Sequence, residues 1–204
     1  MLWEDDFCDY VEAVSTDDME RLKRLMSGKR SDETRQKQEE ALIHAVRCGK
    51  SDFTKLLLDS NVDANAICRQ RNEACLLTAA KLAHVEIVGQ LLQAGANPNT
   101  INDCGETAAH FASSHYASSC IAVKAARTSC LKLLLDSGAN PGAHNGINGR
   151  TPLMNAATSG DPKCLELLLA AQADPNASMR NGRTALMNAA NCVEPECIRV
   201  LVKA

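Results

Sequence analysis

The chain has 204 residues, 45% of them apolar, 23% charged and only 3% aromatic, with a net charge of -3. That apolar share is too high for a disordered chain, no apolar run reaches the eighteen or so residues of a membrane-spanning helix, and the charge speaks against nucleic-acid binding by bulk attraction. The acidic opening MLWEDD has no apolar stretch behind it, so it does not read as a secretory signal. Four of the six aromatics (Trp3, Phe7, Tyr10, Phe53) lie in the first 53 residues, Phe111 and Tyr116 follow, and the last 88 residues have none. The C-terminal part must therefore pack small and branched aliphatic side chains.

Taken in chain order, residues 1–29 read as a degenerate capping unit. Val11, Ala13 and Val14 precede a Thr16-Asp17-Asp18 cap, then Met19, Leu22, Leu25 and Met26 recur at helical spacing before Gly28. Trp3, Phe7 and Tyr10 are placed to cover one end of whatever follows. Residues 30–40 are polar and read as a connector, or as the exposed start of the next helix. From residue 41 to 204 the text repeats. Residues 148–157 (NGRTPLMNAA) recur 33 residues later as 181–190 (NGRTALMNAA), and Gly105 opens a similar stretch one period plus eleven residues upstream of Gly149. Small-residue pairs at Ala45-Val46, Ala79-Ala80, Ala156-Ala157 and Ala189-Ala190 keep the same register. So do the leucine runs at 56–58, 91–92, 133–135 and 167–169. The eleven extra residues fall near 114–128, between two helices of one unit, as a lengthened helix or a loop.

Local chemistry supports helix–turn–helix units. Thr151 before Pro152 suits a helix start, where the hydroxyl accepts free N–H groups and proline lacks only a donor that would be unused. Leu153, Ala156 and Ala157 then share one face. Gly95 and Gly138 suit left-handed helix ends, and Asn97-Pro98-Asn99 and Asp174-Pro175-Asn176 suit tight turns. With these residues in place the chain resembles the ankyrin-repeat family over residues 41–204. The resemblance implies an all-α solenoid of about six units with β-hairpin-like loops. Met154 and Met187 stand where the family carries His, while His110 keeps that position and Ala108-Ala109 replaces Pro-Leu. The last helix, Cys197 to Ala204, has no Gly-Ala-Asp turn behind it, so the last repeat reads as incomplete and the chain as a fragment of a longer protein.

No phosphate loop, nucleophile elbow or zinc-protease motif occurs, and the five His are scattered, so the chain does not read as an enzyme. The ten Cys form no CxxC pair. They read as free thiols, with Cys48, Cys68 and Cys164 beside basic residues as the alternatives for redox chemistry. No metal or other cofactor is expected. The resemblance implies a non-catalytic adaptor or scaffold that holds another protein along a concave face of hairpin tips and first helices. Carried over residue by residue, that face comprises Arg69, Arg71, Glu73, Asn102, Cys104, Glu106, Ile147, Asn148, Arg150, Arg180, Asn181 and Arg183. Its helix positions are Lys81, Ser114, Asn155, Thr158, Ser159, Asn188 and Asn191.

Arg69, Arg71, Arg150, Arg180 and Arg183 suit an acidic or phosphorylated peptide, against the alternative that arginines simply favour solvated loops. Asn155 and Asn188 would add an amide ladder. Asn65, Asn99 and Asn176 match the hairpin asparagine that a hydroxylase modifies in some family members, though their default role is to brace a turn. A substrate-recognition arm of a ubiquitin ligase and the targeting region of a larger enzyme are the rival functions. The expected setting is intracellular, cytoplasmic or nuclear, as a monomer without nucleic-acid partner or membrane insertion.

Overall fold

A computed structural model of the chain describes residues 9–28, 31–68, 72–114, 121–191 and 195–204. Within them, helices alternate with turns in six consecutive pairs: α1 (Asp9–Ser15) with α2 (Met19–Met26), α3 (Asp32–Arg47) with α4 (Ser51–Asp59), α5 (Cys75–Leu82) with α6 (Val85–Gln93), α7 (Ala108–Ala112) with α8 (Ile121–Asp136), α9 (Pro152–Ser159) with α10 (Pro162–Ala170), and α11 (Ala185–Ala189) with α12 (Pro195–Lys203). The odd-numbered helices stack on one another in order, and the even-numbered ones from α4 onward form a second row behind them. This is a two-layer all-α solenoid, in which each unit touches mainly its neighbours.

The seam between units is filled as the composition requires. Ala79, Ala80, Ala108, Ala109, Ala112, Ala156, Ala157 and Ala189 are fully buried on the odd helices, so successive backbones approach closely. Leu57, Leu91, Leu134 and Leu168 anchor the even row. Tyr10 is buried, and its hydroxyl donates to the Leu25 carbonyl at 2.9 Å, which ties α1 to α2. Trp3 and Phe7, expected to cover the same end, lie outside the described residues.

Caps start the helices where the sequence suggests. Thr151 Oγ1 accepts from Met154 N at 3.3 Å with Pro152 in the first turn, and Thr184 does the same for Met187 N at 3.4 Å. Residues 32–40 are the exposed start of the next helix, the second of the two expectations, and not a connector: Ser31 caps α3 through a reciprocal box with Thr34, and Lys37–Glu33 and Arg35–Glu39 pairs line its exposed first turns. That segment is polar because solvent surrounds it, which a composition argument does not distinguish from a linker.

The extra residues of the fourth unit lengthen α8 to 16 residues, against nine in α4, α6, α10 and α12. The longer helix places a buried Arg127 whose guanidinium donates to the carbonyls of Phe111 (2.7 Å) and Lys81 (3.0 Å). Those oxygens sit in the last turns of α7 and α5, where helix carbonyls carry partial negative charge, and the Phe111 oxygen also accepts from Ser114 N at 3.2 Å.

Two ladders run along the turns. Asn97 N donates to Asn65 Oδ1 at 2.9 Å, and Asn140 N to Asn99 Oδ1 at 2.7 Å, so each of these asparagines grips the turn of the following unit. Asn99 Nδ2 also donates to the Gly138 carbonyl at 3.1 Å. Gly142 occupies the next such position and has no side chain to offer. Between hairpins the backbone itself bonds, Gly146 N to the Cys104 carbonyl (2.7 Å) and Arg180 N to the Asn148 carbonyl (2.9 Å). A β-carbon on Gly105, at φ +72, would sit 2.5 Å from Gly146 N, so this contact requires glycine.

Candidate functional site

The row of hairpin tips and the ends of the odd helices form one surface. The third tip is the most sheet-like: β1 (Ile67–Cys68) pairs antiparallel with β2 (Glu73–Ala74). The sixth keeps only a bridge between Ser178 and Thr184. In the third to sixth units, a side chain just before the odd helix stands eight residues ahead of one at that helix's end, and in two of them the pair meets. Glu73 Oε1 lies 3.4 Å from Lys81 Nζ, and Arg150 Nη2 bonds Thr158 Oγ1. The corresponding pairs elsewhere are Glu106 with Ser114 and Arg183 with Asn191.

The charges on this row are sorted by unit. The fourth tip carries exposed Asp103 and half-buried Glu106, which accepts from Asn102 Nδ2 at 3.3 Å. The fifth carries Arg150, and the sixth carries exposed Arg180 and Arg183. Arg180 Nη2 donates to the Gly146 carbonyl at 2.8 Å, which fixes the sixth tip to the fifth, while Arg183 points into solvent. The basic tips are therefore interrupted by an acidic one, because Glu106 occupies the position that Arg150 and Arg183 hold in their own units. Arg69 and Arg71 lie outside the described residues.

Three further candidates have other roles. Asn155 is buried, and its amide donates to the His110 carbonyl at 3.1 Å. Asn188 is buried as well, with Nδ2 left without a partner. The expected asparagine ladder thus points into the seam between units rather than toward a ligand. Asn148 Oδ1 accepts from Arg150 N at 3.2 Å and braces the fifth tip.

Sequence reasoning missed Asn145. It is buried, and its Oδ1 accepts from the backbone N–H groups of Asn148 (3.2 Å) and Arg150 (3.0 Å). The available signal was spacing: Gly142 to Gly149 is one residue longer than Asn99 to Gly105 or Asn176 to Gly182. Also missed was a pocket of about 240 Å³ lined by Arg47, Cys68, Glu73, Thr78, Lys81 and Leu82. Its wall is partly apolar and its rim is charged, a shape that suits one inserted side chain. Lys81 also lies 5.4 Å from the Phe111 ring centroid, a cation–π distance.

His110 is structural. Its Nδ1 accepts from Thr107 N at 3.1 Å, which leaves the proton on Nε2, 3.0 Å from the Arg150 carbonyl. Burial lowers its pKa below the ordinary value, against an opposing pull from that carbonyl. The thiols divide clearly. Burial pushes Cys75 and Cys164 up to about 12 and Cys130 to about 11, so Cys164 is no reactive thiolate despite its basic neighbour Lys163. Cys48 is exposed, 3.5 Å from His44 Nε2. Among the described residues no three His, Cys, Asp or Glu side chains gather as a metal site needs, and no helix is long and apolar enough to cross a membrane.

Comparison with known proteins agrees with this geometry. The family model for ankyrin repeats matches residues 11–102 and 119–204. The chain is 38% identical over 87 residues to glycerophosphocholine phosphodiesterase gde1 of Schizosaccharomyces pombe, covering 43% of this chain and 7% of that protein. It is 35% identical over 133 residues to human SH3 and multiple ankyrin repeat domains protein 1, covering 64% and 6%. It is 33% identical over 133 residues to E3 ubiquitin-protein ligase XBAT33 of Arabidopsis thaliana, covering 64% and 24%. The chain thus spans less than a quarter of any of these three proteins.

Proposed function

The chain belongs to the ankyrin-repeat family, and on that premise we propose that it is a non-catalytic adaptor that holds an extended segment of another protein along the hairpin tips and odd-helix ends. The observation that carries the reading is the sorting of charge along a backbone-stitched row. Asp103 and Glu106 mark the fourth tip, while Arg150, Arg180 and Arg183 mark the fifth and sixth. An acidic or phosphorylated stretch of the partner faces the arginines, which offer fork-shaped donors to carboxylate or phosphate. The carboxylates of the fourth tip fix register by excluding acid there, since like charges in contact disfavour a misplaced partner. Lys81 and Thr158 line the helix side of the same path, and Asn148 holds the fifth tip in shape.

A second reading is favoured by the similarity to the plant ubiquitin ligase, in which the same surface would be the substrate-holding arm of a larger protein. The phosphodiesterase relative gives the parallel case of a targeting region attached to an enzyme. All three asparagines considered for hydroxylation are exposed, and Asn65 and Asn99 differ from Asn176 in having side chains engaged in bridges to the following turn. The setting is intracellular, cytoplasmic or nuclear.

Affinity capture with the wild-type chain and the Arg150→Glu/Arg183→Glu double variant tests the main reading. The wild type should retain partners that salt elutes, and the double variant should lose them. Equal, salt-insensitive capture by both would sink the acidic-segment reading.

A further inference from the structure

We infer that the pocket of the third unit receives a glutamate side chain of the partner, an inference that rests on the extended segment proposed above and adds a second anchor to it. The pocket exists because of one small residue. Thr78 stands 33 residues before Phe111, which stands one period plus the eleven extra residues before Asn155. In those later units the position is filled: Phe111 is buried, and the Asn155 amide spans the seam to the His110 carbonyl. Thr78 is too short for either, and a cavity of about 240 Å³ opens beside it, bounded on the second unit by Arg47.

The polar groups of its wall are unevenly matched. Glu73 is 8% exposed and pairs with Lys81 at 3.4 Å. Arg47 ends α3, is exposed, and its guanidinium meets no carboxylate among the described residues. The Thr78 hydroxyl bonds to no described residue, whereas Ser113, Ser114 and Thr158 close onto carbonyls of their own helices. With Glu73 and Lys81 offsetting each other, the wall keeps the charge of Arg47, its fork of N–H donors and a hydroxyl. That set fits one carboxylate, and the apolar side formed by Leu82 and Cys68 fits the methylenes of a glutamate. A phosphate, with a charge of about -1.5 to -2, would press its extra charge against buried Glu73.

The placement also suits the row of tips. Neighbouring odd helices stand roughly 8–10 Å apart, and an extended chain advances about 3.3 Å per residue. The two steps from the third unit to the fifth therefore correspond to about five or six partner residues, with the acidic fourth tip between.

Cys68 in the wall reports occupancy. Its alkylation by neutral iodoacetamide is followed by mass spectrometry beside that of exposed Cys48, with N-acetylglutamate α-amide as the probe. The probe should slow Cys68 about tenfold at about ten times its dissociation constant and leave Cys48 unchanged. Its glutamine counterpart should give no protection. Arg47→Gln should abolish protection, and Glu73→Gln should lower the concentration required. A peptide with glutamates about five residues apart should protect at lower concentration than one with them about two apart. The Arg150→Glu/Arg183→Glu variant should remove that gain and leave protection by the small probe intact.

No protection by the glutamate probe, equal protection by glutamine, protection that survives Arg47→Gln, or a Cys68 that iodoacetamide never reaches would each overturn the pocket. Stronger protection by O-phosphoserine would assign it to a phosphorylated side chain and overturn it equally. No gain from the longer spacing in the wild type would overturn the shared segment. A gain that survives Arg150→Glu/Arg183→Glu would remove the arginine row from the path and leave the pocket standing.

Discussion

The fifth and sixth units carry almost the same text, NGRTPLMNAA and NGRTALMNAA, and differ in that stretch only at Pro152 and Ala185. Their surroundings differ far more. Leu153 and Met154 lie sealed beneath the sixth unit, and Leu186 and Met187 lie open. The helix they belong to runs eight residues in the fifth unit and five in the sixth. In a solenoid, then, the side chain sets what a position can contribute, and the neighbouring unit decides whether the contribution is realised.

Five variants break or sharpen that contrast. Met154→Ala leaves a cavity in a closed seam and should cost about 2–5 kcal/mol in urea unfolding. Met187→Ala, the same change at the open position, should cost less than about 0.5 kcal/mol. Equal losses would show that burial is not what separates the two units. Arg127→Ala should cost about 2–3 kcal/mol, because the buried carbonyls of Phe111 and Lys81 lose a charged donor. Neither of the last two units has a counterpart to lose. The Thr151→Ala change removes a helix cap from the closed unit, with an expected loss of about 1 kcal/mol. Thr184→Ala should lower stability by a smaller amount, and thermal melts of the pair give the comparison.

The smallest effect expected is pH-dependent and concerns His110, whose position Met154 and Met187 fill in the later units. Burial lowers its folded-state pKa, and protonating Nδ1 would turn an acceptor toward the Thr107 N–H. Its contribution is complete above the unfolded value of about 6.5 and is lost as pH falls toward the depressed folded value. Urea midpoints measured from pH 8 down to 5 should therefore decline, and less steeply in His110→Gln. An unchanged slope in that variant would place the acid sensitivity elsewhere, with His44 and His84, also lowered by burial, the next to examine.

Much of the architecture was legible because it is periodic. Thr-Pro starts, alanine pairs and leucine runs recur at one spacing, and each recurrence restates the same local physics. The surface was less legible. Asn155 and Asn188 read as ligand-facing because they fall at positions that the family resemblance places on the concave face. The structure buries both, and gives Asn155 the His110 carbonyl from the neighbouring unit. That contact depends on how two units register, which no single repeat states. Glu106 was legible as the equivalent of Arg150 and Arg183, each following the glycine of its own unit, while the bond from Arg180 to the Gly146 carbonyl was not. Asn145 and Arg127 sit in the two places where the repeat length departs from its norm, so a periodic reading averages them away.

The missing side chain at Gly142 has a mechanical meaning. Turns stitched by Asn65 and Asn99 resist being drawn apart along the axis of the stack, while the turn at 172–174 lacks that stitch and holds Gln172 in a left-handed conformation where Gly95 and Gly138 stand earlier. Tension along the stack there passes instead through the hairpins, by the bonds from Arg180 N to the Asn148 carbonyl and from Arg180 Nη2 to the Gly146 carbonyl.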